Sequence, residues 1–557
     1  MTFGRILIGI AIVLAVAAAG AALTYTSWRI YVPGIIGNII SPVGPNRPVT
    51  WEEGPATADA APGQRQPNIV VIIADDLGAN DVSAFGGGVA NGRVQTPAID
   101  SIMREGTALR GGYSSHGTCS PTRAALMTGR HPSRIGFEYT SAPVLFARNI
   151  YDVIVDERAS IAPPIYHADR EKDVPPYETM GLPLGEVTIA ELLRDRGYRT
   201  LMLGKWHLGD VPELQPHAQG FDEWLGITRG AALFGEIDDP QIVNSRQDFD
   251  PIDRFLWANL RFEVTEDGST PFKPASYFTD YLGDEAVKAI RANRNRPFFL
   301  YLAFTAPHTP LQATKADYDA LADIPDHTLR TYGAMIRSLD RNVGKVLAEL
   351  EAQGLAENTL VIFTSDNGGA NYVGLPDINK PYRGWKASFF EGGIHVPYFV
   401  RWPARIPATG ARAPVDAASI DIFATAAAAA NAPVPSDRPI DGIDLTPILS
   451  GEQAAPDRPL FWRAGGYRVV LSGGWKLQVA ENPGKTWLFN LAADPTERNN
   501  LAGSEPAKVA ELTALLDAYD KEAAKPLWPA LVELPILIDH TINAPYPPDA
   551  EYVYWGN

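Results

Sequence analysis

The sequence predicts an α/β fold: a large, mixed, mostly parallel sheet flanked by helices, with a smaller C-terminal α+β subdomain. Four apolar runs rich in β-branched residues are typical of strands buried on both faces, at 68–74, 198–203, 297–305 and 360–364. Helical patterns lie between these strands. One example is the segment from Ile336 to Leu350, where apolar side chains recur at three- and four-residue spacing. A hairpin turning at Gly473-Gly474 and a helix from Pro506 to Ala524 predict the subdomain.

The length of the chain and its local composition predict the domain organisation. The chain has 557 residues, enough for a large core with an appended unit. The predicted segments are a signal peptide or membrane anchor at 1–25, a Pro- and Gly-rich linker at 26–67, the main domain at 68–452, the α+β subdomain at 453–525 and an aromatic and Pro-rich tail at 526–557.

The net charge and the cysteine count argue against a nucleic-acid partner and against an intramolecular disulfide. The formal net charge is −17, which argues against nucleic acid as a partner because phosphate binding needs basic patches. A single cysteine, Cys119, excludes an intramolecular disulfide.

The N-terminal segment predicts export. An almost unbroken apolar run from Ile6 to Leu23 follows Arg5. It fits a signal peptide cleaved near residues 17–21, and it fits an uncleaved membrane anchor that the apolar residues of 28–40 extend. Both alternatives place the folded domain on the periplasmic or extracellular side.

Polar residues follow each of the four predicted strands. The first strand runs into Asp75-Asp76, the second into the stretch 204–209, the third into His308 and the fourth into Asp366-Asn367. In parallel α/β sheets the ligand crevice lies outside the carboxyl ends of the strands, so these residues are expected to converge. Adjacent carboxylates at such a place favour a bound cation, although Asp-Asp is also common in solvated turns.

Cys119 opens a predicted helix. Pro121 suits the first helical position, Ser120 the N-cap and Gly129 the stop, so Cys119 is expected just outside the helix N-terminus, where negative charge is favoured. A lone cysteine is more commonly a small buried apolar side chain. The surrounding pattern, Cys-x-Pro-x-Arg followed by Thr-Gly-Arg at 128–130, indicates a nucleophile instead.

That pattern resembles the signature of the type I sulfatases, in which the cysteine is oxidised to formylglycine. The stretch Gly204–Gly209 resembles the second family signature, Asp366-Asn367-Gly368 resembles the distal metal half, and Leu491–Glu497 is similar to the family's C-terminal subdomain. The resemblance covers residues 68 to about 524 and implies the fold of the alkaline-phosphatase superfamily, with 68–452 as the catalytic domain.

The resemblance also implies roles for single residues. Asp75, Asp76, Asp366 and Asn367, with residue 119, are expected to bind one divalent cation, and the oxygen-rich ligand set favours Ca²⁺, with Mg²⁺ as the alternative. The remaining assignments are Arg123 to orient the formylglycine, Lys205 and Lys386 to clamp sulfate oxygens, His207 to act on residue 119 and His308 to protonate the departing alcohol. Trp385 departs from the small residues usual beside the second lysine.

The implied activity is hydrolysis of sulfate esters, arylsulfatase-like, after a maturation enzyme has converted Cys119. Two alternatives use the same residues: a phosphonate monoester or phosphodiester hydrolase, and a catalytically silent sulfate-binding homologue. The alcohol part of the substrate is not encoded in any motif. We expect the insertions 141–184 and 234–273 to select it.

Overall fold

The computed structural model describes residues 29–58, 60, 64–157 and 160–557. Its centre is a nine-stranded sheet whose strands lie side by side in the order 412–418, 107–113, 398–401, 359–365, 68–74, 298–303, 199–205, 223–227 and 265–266. The five neighbours from 359–365 to 223–227 are all parallel, and the antiparallel pairs lie toward the two edges. The predicted fold class, a mixed but mostly parallel sheet, is confirmed.

The strands have the following bounds: β1 Asn68–Ala74, β2 Thr107–Tyr113, β3 Ile165–Tyr166, β4 Arg199–Lys205, β5 Glu223–Ile227, β6 Ile242–Ser245, β7 Thr265–Glu266, β8 Phe298–Ala303, β9 Leu311–Thr314, β10 Thr359–Ser365, β11 Tyr398–Arg401, β12 Arg412–Ala418, β13 Leu460–Ala464, β14 Tyr467–Ser472, β15 Trp475–Ala480, β16 Lys485–Asn490, β17 Val532–Leu537 and β18 Tyr552–Gly556.

The α-helices have the following bounds: α1 Val32–Ile40, α2 Val89–Gly92, α3 Pro97–Arg104, α4 Cys119–Thr128, α5 Pro132–Ile135, α6 Val144–Glu157, α7 Ile189–Arg194, α8 Pro251–Asn259, α9 Phe278–Ala292, α10 Lys315–Asp319, α11 His327–Ala352, α12 Glu391–Ile394, α13 Asp421–Ala429, α14 Thr446–Leu449 and α15 Pro506–Asp520.

The central strand β1 shows how the layers form. All seven of its residues are buried, and its side chains alternate between two cores because successive residues of a strand point to opposite faces. Val70 and Ile72 pack in the core beneath α3, α9 and α11. Val71 and Ile73 pack in the core beneath α4, α7 and α13. The domain is therefore a three-layer α/β/α sandwich.

The four predicted strands are present with shifted ends. β4 extends to Lys205, two residues beyond the predicted strand, so that lysine is the last residue of the strand and not part of a loop. The sequence patterns did not indicate β5, which pairs with β4 and completes the central parallel group.

The C-terminal region forms two sheets. Strands β13–β16 make the predicted antiparallel unit, with α15 packed on one face. The tail, predicted only to pack over the surface, contains β17 and β18. Strand β17 pairs with β18 on one side and with β3 on the other. Its Trp555 is buried against Phe389, in the core that joins the subdomain to the main sheet. The tail is thus an integral part of the fold.

The N-terminal region differs from the expected linker. The predicted signal peptide or anchor at 1–25 lies outside the described residues. Within the predicted linker 26–67, α1 is helical, and Val49 and Trp51 are buried in the main core. No helix of the described part combines the length and the hydropathy that a membrane crossing requires.

Trp51 provides a test that this segment contributes to stability. Its side chain is 6% exposed, and its indole N–H donates to Glu285 Oε2 at 3.0 Å. We expect Trp51→Ala to lower the free energy of unfolding by about 3–5 kcal/mol, and Trp51→Phe, which keeps most of the packing, by about 2 kcal/mol or less. Denaturant unfolding measures both values, and a Trp51→Ala protein as stable as the parent would contradict the assignment.

Candidate active site

The carboxyl ends of the central parallel strands meet at one site. Asp75 and Asp76 follow β1, Asp366 follows β10, and Lys205 ends β4. All four side chains are buried. Because β1 pairs with β10 in parallel register from residue 68 to residue 74, the two acidic turns leave the sheet side by side. The predicted convergence at the carboxyl edge is therefore present.

Helix α4 presents Cys119. The helix starts at Cys119 itself, after Thr118 in extended conformation, and ends at Gly129 with φ of 68°. Cys119 thus lies inside the helix start and not just outside it. The predicted Ser120 cap is wrong, because the Ser120 hydroxyl donates instead to the backbone oxygen of His207 at 2.6 Å. That bond joins helix α4 to the turn that follows β4.

Three buried ion pairs surround Cys119. Lys205 Nζ lies 2.7 Å from Asp75 Oδ2, and Arg123 Nη2 lies 2.6 Å from Asp366 Oδ2. Lys386 Nζ lies 2.7 Å from Asp76 Oδ1. Among the described residues of this cluster, three carboxylates therefore oppose three cations, and mutual pairing makes burial of six charges tolerable.

The sulfur of Cys119 lies inside this cluster. The thiol donates to Asp75 Oδ1 at 3.3 Å and to Asp76 Oδ1 at 3.7 Å, and Lys386 Nζ lies 3.4 Å from Sγ. Burial, reinforced by Asp366, raises the pKa of the thiol well above its ordinary value. The unmodified side chain is consequently a neutral hydrogen-bond donor and a poor nucleophile, since the thiolate is the reactive form.

The ligand set fits a hard divalent cation. Asn367 Nδ2 donates to Asp76 Oδ1 at 2.8 Å, while Asn367 Oδ1 is buried and accepts no hydrogen bond from any described residue. Ligand atoms of Asp75, Asp76, Cys119 and His308 lie within 4.8 Å of one another. A buried carbonyl oxygen without a donor beside three carboxylates is what Ca²⁺ or Mg²⁺ requires.

The pKa values of Asp75 and Asp76 are shifted in opposite directions. Burial raises the pKa of Asp75 to about 7, with Lys205 opposing and Asp366 adding to the rise. For Asp76 burial acts in the same direction, but Lys386 and His308 hold its pKa below the usual range. Crowded carboxylates of this kind are stabilised as anions when a cation binds between them.

His308 has a defined tautomer. Its Nδ1 lies 2.5 Å from the backbone oxygen of Thr309, which can only accept, so Nδ1 carries the proton. Nε2 faces the site and lies 3.7 Å from Asp76 Oδ2. Burial and the charge of Lys386 lower the pKa of His308 to about 3. Nε2 is therefore the atom through which this imidazole can exchange a proton.

His207 is held in an uncommon backbone conformation. Its φ is 61°, and Asp76 has a φ of 63°, values that side-chain-bearing residues rarely adopt. The His207 backbone is fixed by an N–H bond to Thr228 and by the Ser120 hydroxyl. Its Nδ1 is buried without a hydrogen-bond partner in the described part of the chain. Strained residues fixed by their surroundings are typical of functional sites.

The loop that carries Lys386 places the amine in the cluster although Trp385 precedes it. The backbone N–H of Lys386 donates to Gly369 O, and Asn379 bonds both Gly369 and the Gly384 carbonyl. Trp385 is buried in the main core. Lys386 therefore reaches Asp76 and Cys119 on a loop fixed at both ends.

Sequence reasoning missed Tyr372 and Asn379. The Tyr372 hydroxyl donates to Asp76 Oδ2 at 3.2 Å and lies in a turn that no motif marks. Asn379 holds the Lys386 loop but lies within an unremarkable stretch. Arg130, the last residue of the motif around Cys119, pairs with Glu186 at 2.8 Å.

A second buried charge network connects the loop that carries Lys386 to the C-terminal subdomain. Lys476 Nζ bonds Glu391 Oε1 at 2.7 Å and Glu497 Oε1 at 3.0 Å. Burial acts to raise the pKa of Glu391, but Lys476 and His395 hold it at about 2. The Arg383 guanidinium donates to the Glu497 carbonyl, and the Arg383 carbonyl accepts from the Gly392 N–H. The network thus includes a residue only three positions before Lys386.

Comparison with known proteins agrees with this geometry. A family model described as Sulfatase matches residues 67–432. The chain is 34% identical to N-acetylgalactosamine-6-sulfatase of Canis lupus familiaris, over 74% of this chain and 72% of the relative. It is 31% identical to steryl-sulfatase of Mus musculus, over 85% and 84%.

Solved structures give the same result. The crystal structure of Ps i-CgsB in complex with k-i-k-neocarrahexaose superposes with a TM-score of 0.68 at 30% identity, covering 83% of this chain and 95% of that one. PsFucS1 sulfatase from Pseudoalteromonas sp. superposes with a TM-score of 0.62 at 25% identity, covering 82% and 90%.

Asn367 offers a test of cation binding that does not depend on activity. We expect Ca²⁺ added to chelator-treated protein to raise Tm by about 2 °C or more, because a ligand that binds the folded state stabilises it. Asn367→Ala should need about tenfold more Ca²⁺ for the same rise, since one oxygen ligand is lost. Thermal scans across Ca²⁺ and Mg²⁺ titrations measure this.

The matched control is Asn295→Ala, which removes a half-buried asparagine whose amide donates to the Pro55 and Ala56 carbonyls. Its titration should follow that of the parent protein. A parent-like titration for Asn367→Ala would show that Asn367 is not a ligand.

Proposed function

The chain belongs to the sulfatase family, whose members are sulfuric ester hydrolases, and we propose that it acts through residue 119 after conversion of Cys119 to formylglycine. The observation that carries the proposal is the position of Cys119 Sγ, 3.3 Å from Asp75 and 3.4 Å from Lys386, at the carboxyl edge of the sheet. A converted side chain at that position supplies a hydroxyl nucleophile, which the protonated thiol does not.

The charge of the site supports an anionic substrate. Three carboxylates and three cations compensate each other in the described cluster. A bound divalent cation, for which we propose Ca²⁺ with Mg²⁺ as the alternative, adds two positive charges and polarises the ester oxygens. The resulting excess of positive charge favours binding of a sulfate group and of the negative charge that grows as its ester bond breaks.

The two lysines are assigned to the sulfate oxygens. Lys386 Nζ already lies at hydrogen-bond distance from Sγ, so it can reach an oxygen of a sulfate group at residue 119. Lys205 is fully buried, and its amine donates to both oxygens of the Asp75 carboxylate. Arg123 donates to Asp366 Oδ2 and to the Lys205 carbonyl, so we assign it to positioning that carboxylate and the strand end beside residue 119.

The two imidazoles are assigned to proton transfer. His308 directs Nε2 into the site while Nδ1 is held by Thr309, so Nε2, once it has taken up a proton, can protonate the alcohol oxygen as it leaves. His207 has a buried Nδ1 without a partner among the described groups, and its backbone is bonded to Ser120 in the nucleophile helix. We assign His207 to accepting a proton from residue 119 when the sulfate is released.

The alcohol part of the substrate is proposed as a small aryl, steroid-like or sugar group. The names of the relatives support the last two: N-acetylgalactosamine-6-sulfatases and steryl-sulfatases are both similar to this chain. We place the selection in the insertions 141–184 and 234–273, which contain α6, α8 and β6.

Two further proposals concern the protein before it acts. The apolar run from Ile6 to Leu23 supports export to the periplasm or the cell exterior, through either a cleaved signal peptide or a retained anchor. Conversion of Cys119 requires a maturation enzyme, which we propose as a transient partner.

Peptide mass spectrometry combined with paired substrates tests the proposed function. In protein from its native host we expect the peptide carrying residue 119 to be about 18 mass units lighter than the cysteine form. The same sample should hydrolyse 4-nitrophenyl sulfate much faster than bis(4-nitrophenyl) phosphate, and Cys119→Ala should lose the sulfatase activity. Faster phosphate diester hydrolysis, or a parent-like rate from unconverted cysteine, would contradict the proposal.

His308 generates a separate prediction. We expect His308→Asn to lower kcat about 10²–10⁴-fold on a sugar or steroid sulfate, because an alkoxide leaves poorly without a proton. The loss on 4-nitrophenyl sulfate should be much smaller, since nitrophenolate leaves unaided. Steady-state rates on both esters measure the difference, and His327→Asn, which removes a histidine bonded to Tyr318, is the control. Equal losses on both esters would contradict a proton-donor role.

A further inference from the structure

Helix α1 exposes an apolar surface. The helix, Val32–Ile40, contains no charged residue. Its four isoleucines are all exposed: Ile35 58%, Ile36 49%, Ile39 75% and Ile40 78%. At 100° per residue these four positions share one side of the helix. A surface helix in contact with water normally turns its polar side outward, so the arrangement of α1 is the reverse of the usual one.

The opposite side of α1 explains the orientation. The Gly34 N–H donates to Asn259 Oδ1 at 2.6 Å, and a Cβ at Gly34 would lie 2.5 Å from the Ala258 carbonyl oxygen. The helix therefore packs through a glycine against the end of α8. Any other residue at position 34 would push the helices apart, and the isoleucines would remain outward.

The surface is held in place by the domain. Ile30, just before α1, is buried against Val153 of α6 and Phe255 of α8. Asn259 Nδ2 donates to the Ile30 carbonyl at 2.7 Å, and Arg261 donates to the carbonyl of Ser41 after the helix. The exposure of the isoleucines is thus a property of a docked helix with both ends bonded to the core.

The sequence that precedes α1 indicates what covers it. The apolar run from Ile6 to Leu23 is followed within a few residues by Tyr25, Trp28 and Tyr31. Tryptophan and tyrosine are enriched where a chain crosses from the hydrocarbon core of a bilayer to water. A helix that begins at the end of such a sequence, with isoleucines outward, is positioned at the membrane surface.

We propose that α1 lies in the interface of a lipid bilayer, with Ile35, Ile36, Ile39 and Ile40 in contact with the acyl chains. The partner is the lipid surface itself, bound through apolar area and not through a specific headgroup. The domain is thereby fixed in orientation relative to the membrane. Contact at α1 is independent of which sulfate ester the protein cleaves, and it applies to a retained anchor and to a processed chain that begins near residue 22.

Site-specific fluorescence tests the proposal on the full chain. Ile39→Cys is labelled with an environment-sensitive fluorophore and reconstituted into phosphatidylcholine–phosphatidylglycerol vesicles. Selective labelling is feasible because Cys119 is the only native cysteine and is 4% exposed. We expect emission at shorter wavelength, and quenching by nitroxide-labelled lipids at least about twofold stronger than at a control site.

The control is Val434→Cys, since Val434 is 44% exposed and follows helix α13, outside α1 and the segments that hold α1. Emission at residue 39 equal to that at residue 434 would overturn the proposal. Shorter-wavelength emission without lipid quenching would also overturn it, because the surface would then be covered by protein, either the chain's own N-terminal segment or a second copy.

Discussion

The compensation of charge at the carboxyl edge of the sheet is the constraint on which this structure depends. Asp75, Asp76 and Asp366 converge there because β1 and β10 pair in register, and isolated buried carboxylates would be very unfavourable. Arg123 and Lys205 are fully buried beside them, one from helix α4 and one from the end of β4. Pairing of these charges therefore requires fixed relative positions of the helix, the strands and the Lys386 loop.

The same requirement extends to the C-terminal subdomain. Lys386 comes from a loop outside the sheet, and that loop is tied through Arg383 to Glu497 and through Glu391 to Lys476. The subdomain thus contributes no residue to the described ion-pair cluster but determines where one of its cations lies. Trp555 from the last strand packs against Gly117 in the turn that leads to Cys119. A Cβ at Gly117 would lie 2.9 Å from the Trp555 ring.

Helix α1 and the site are connected by short stretches of chain. Gly230 lies against the His207 ring, and three residues later Leu233 N donates to the carbonyl of Arg261. Arg261 in turn donates to the end of α1. The surface that we place on lipid therefore has a fixed relation to the side of the site where His207 lies, and docking would orient the site relative to the bilayer.

The sequence by itself determined the fold class, the family resemblance and the strands that lead to the candidate site. Strand runs, the Asp75-Asp76 turn and the motif around Cys119 are local patterns, so they could be identified without coordinates. Only the tertiary structure decided that Ser120 binds His207 instead of capping its helix, that Tyr372 and Asn379 belong to the site, and that Trp51 and the tail are buried. Those contacts join residues far apart in the chain, and no local periodicity records which distant groups will be paired once burial makes pairing necessary.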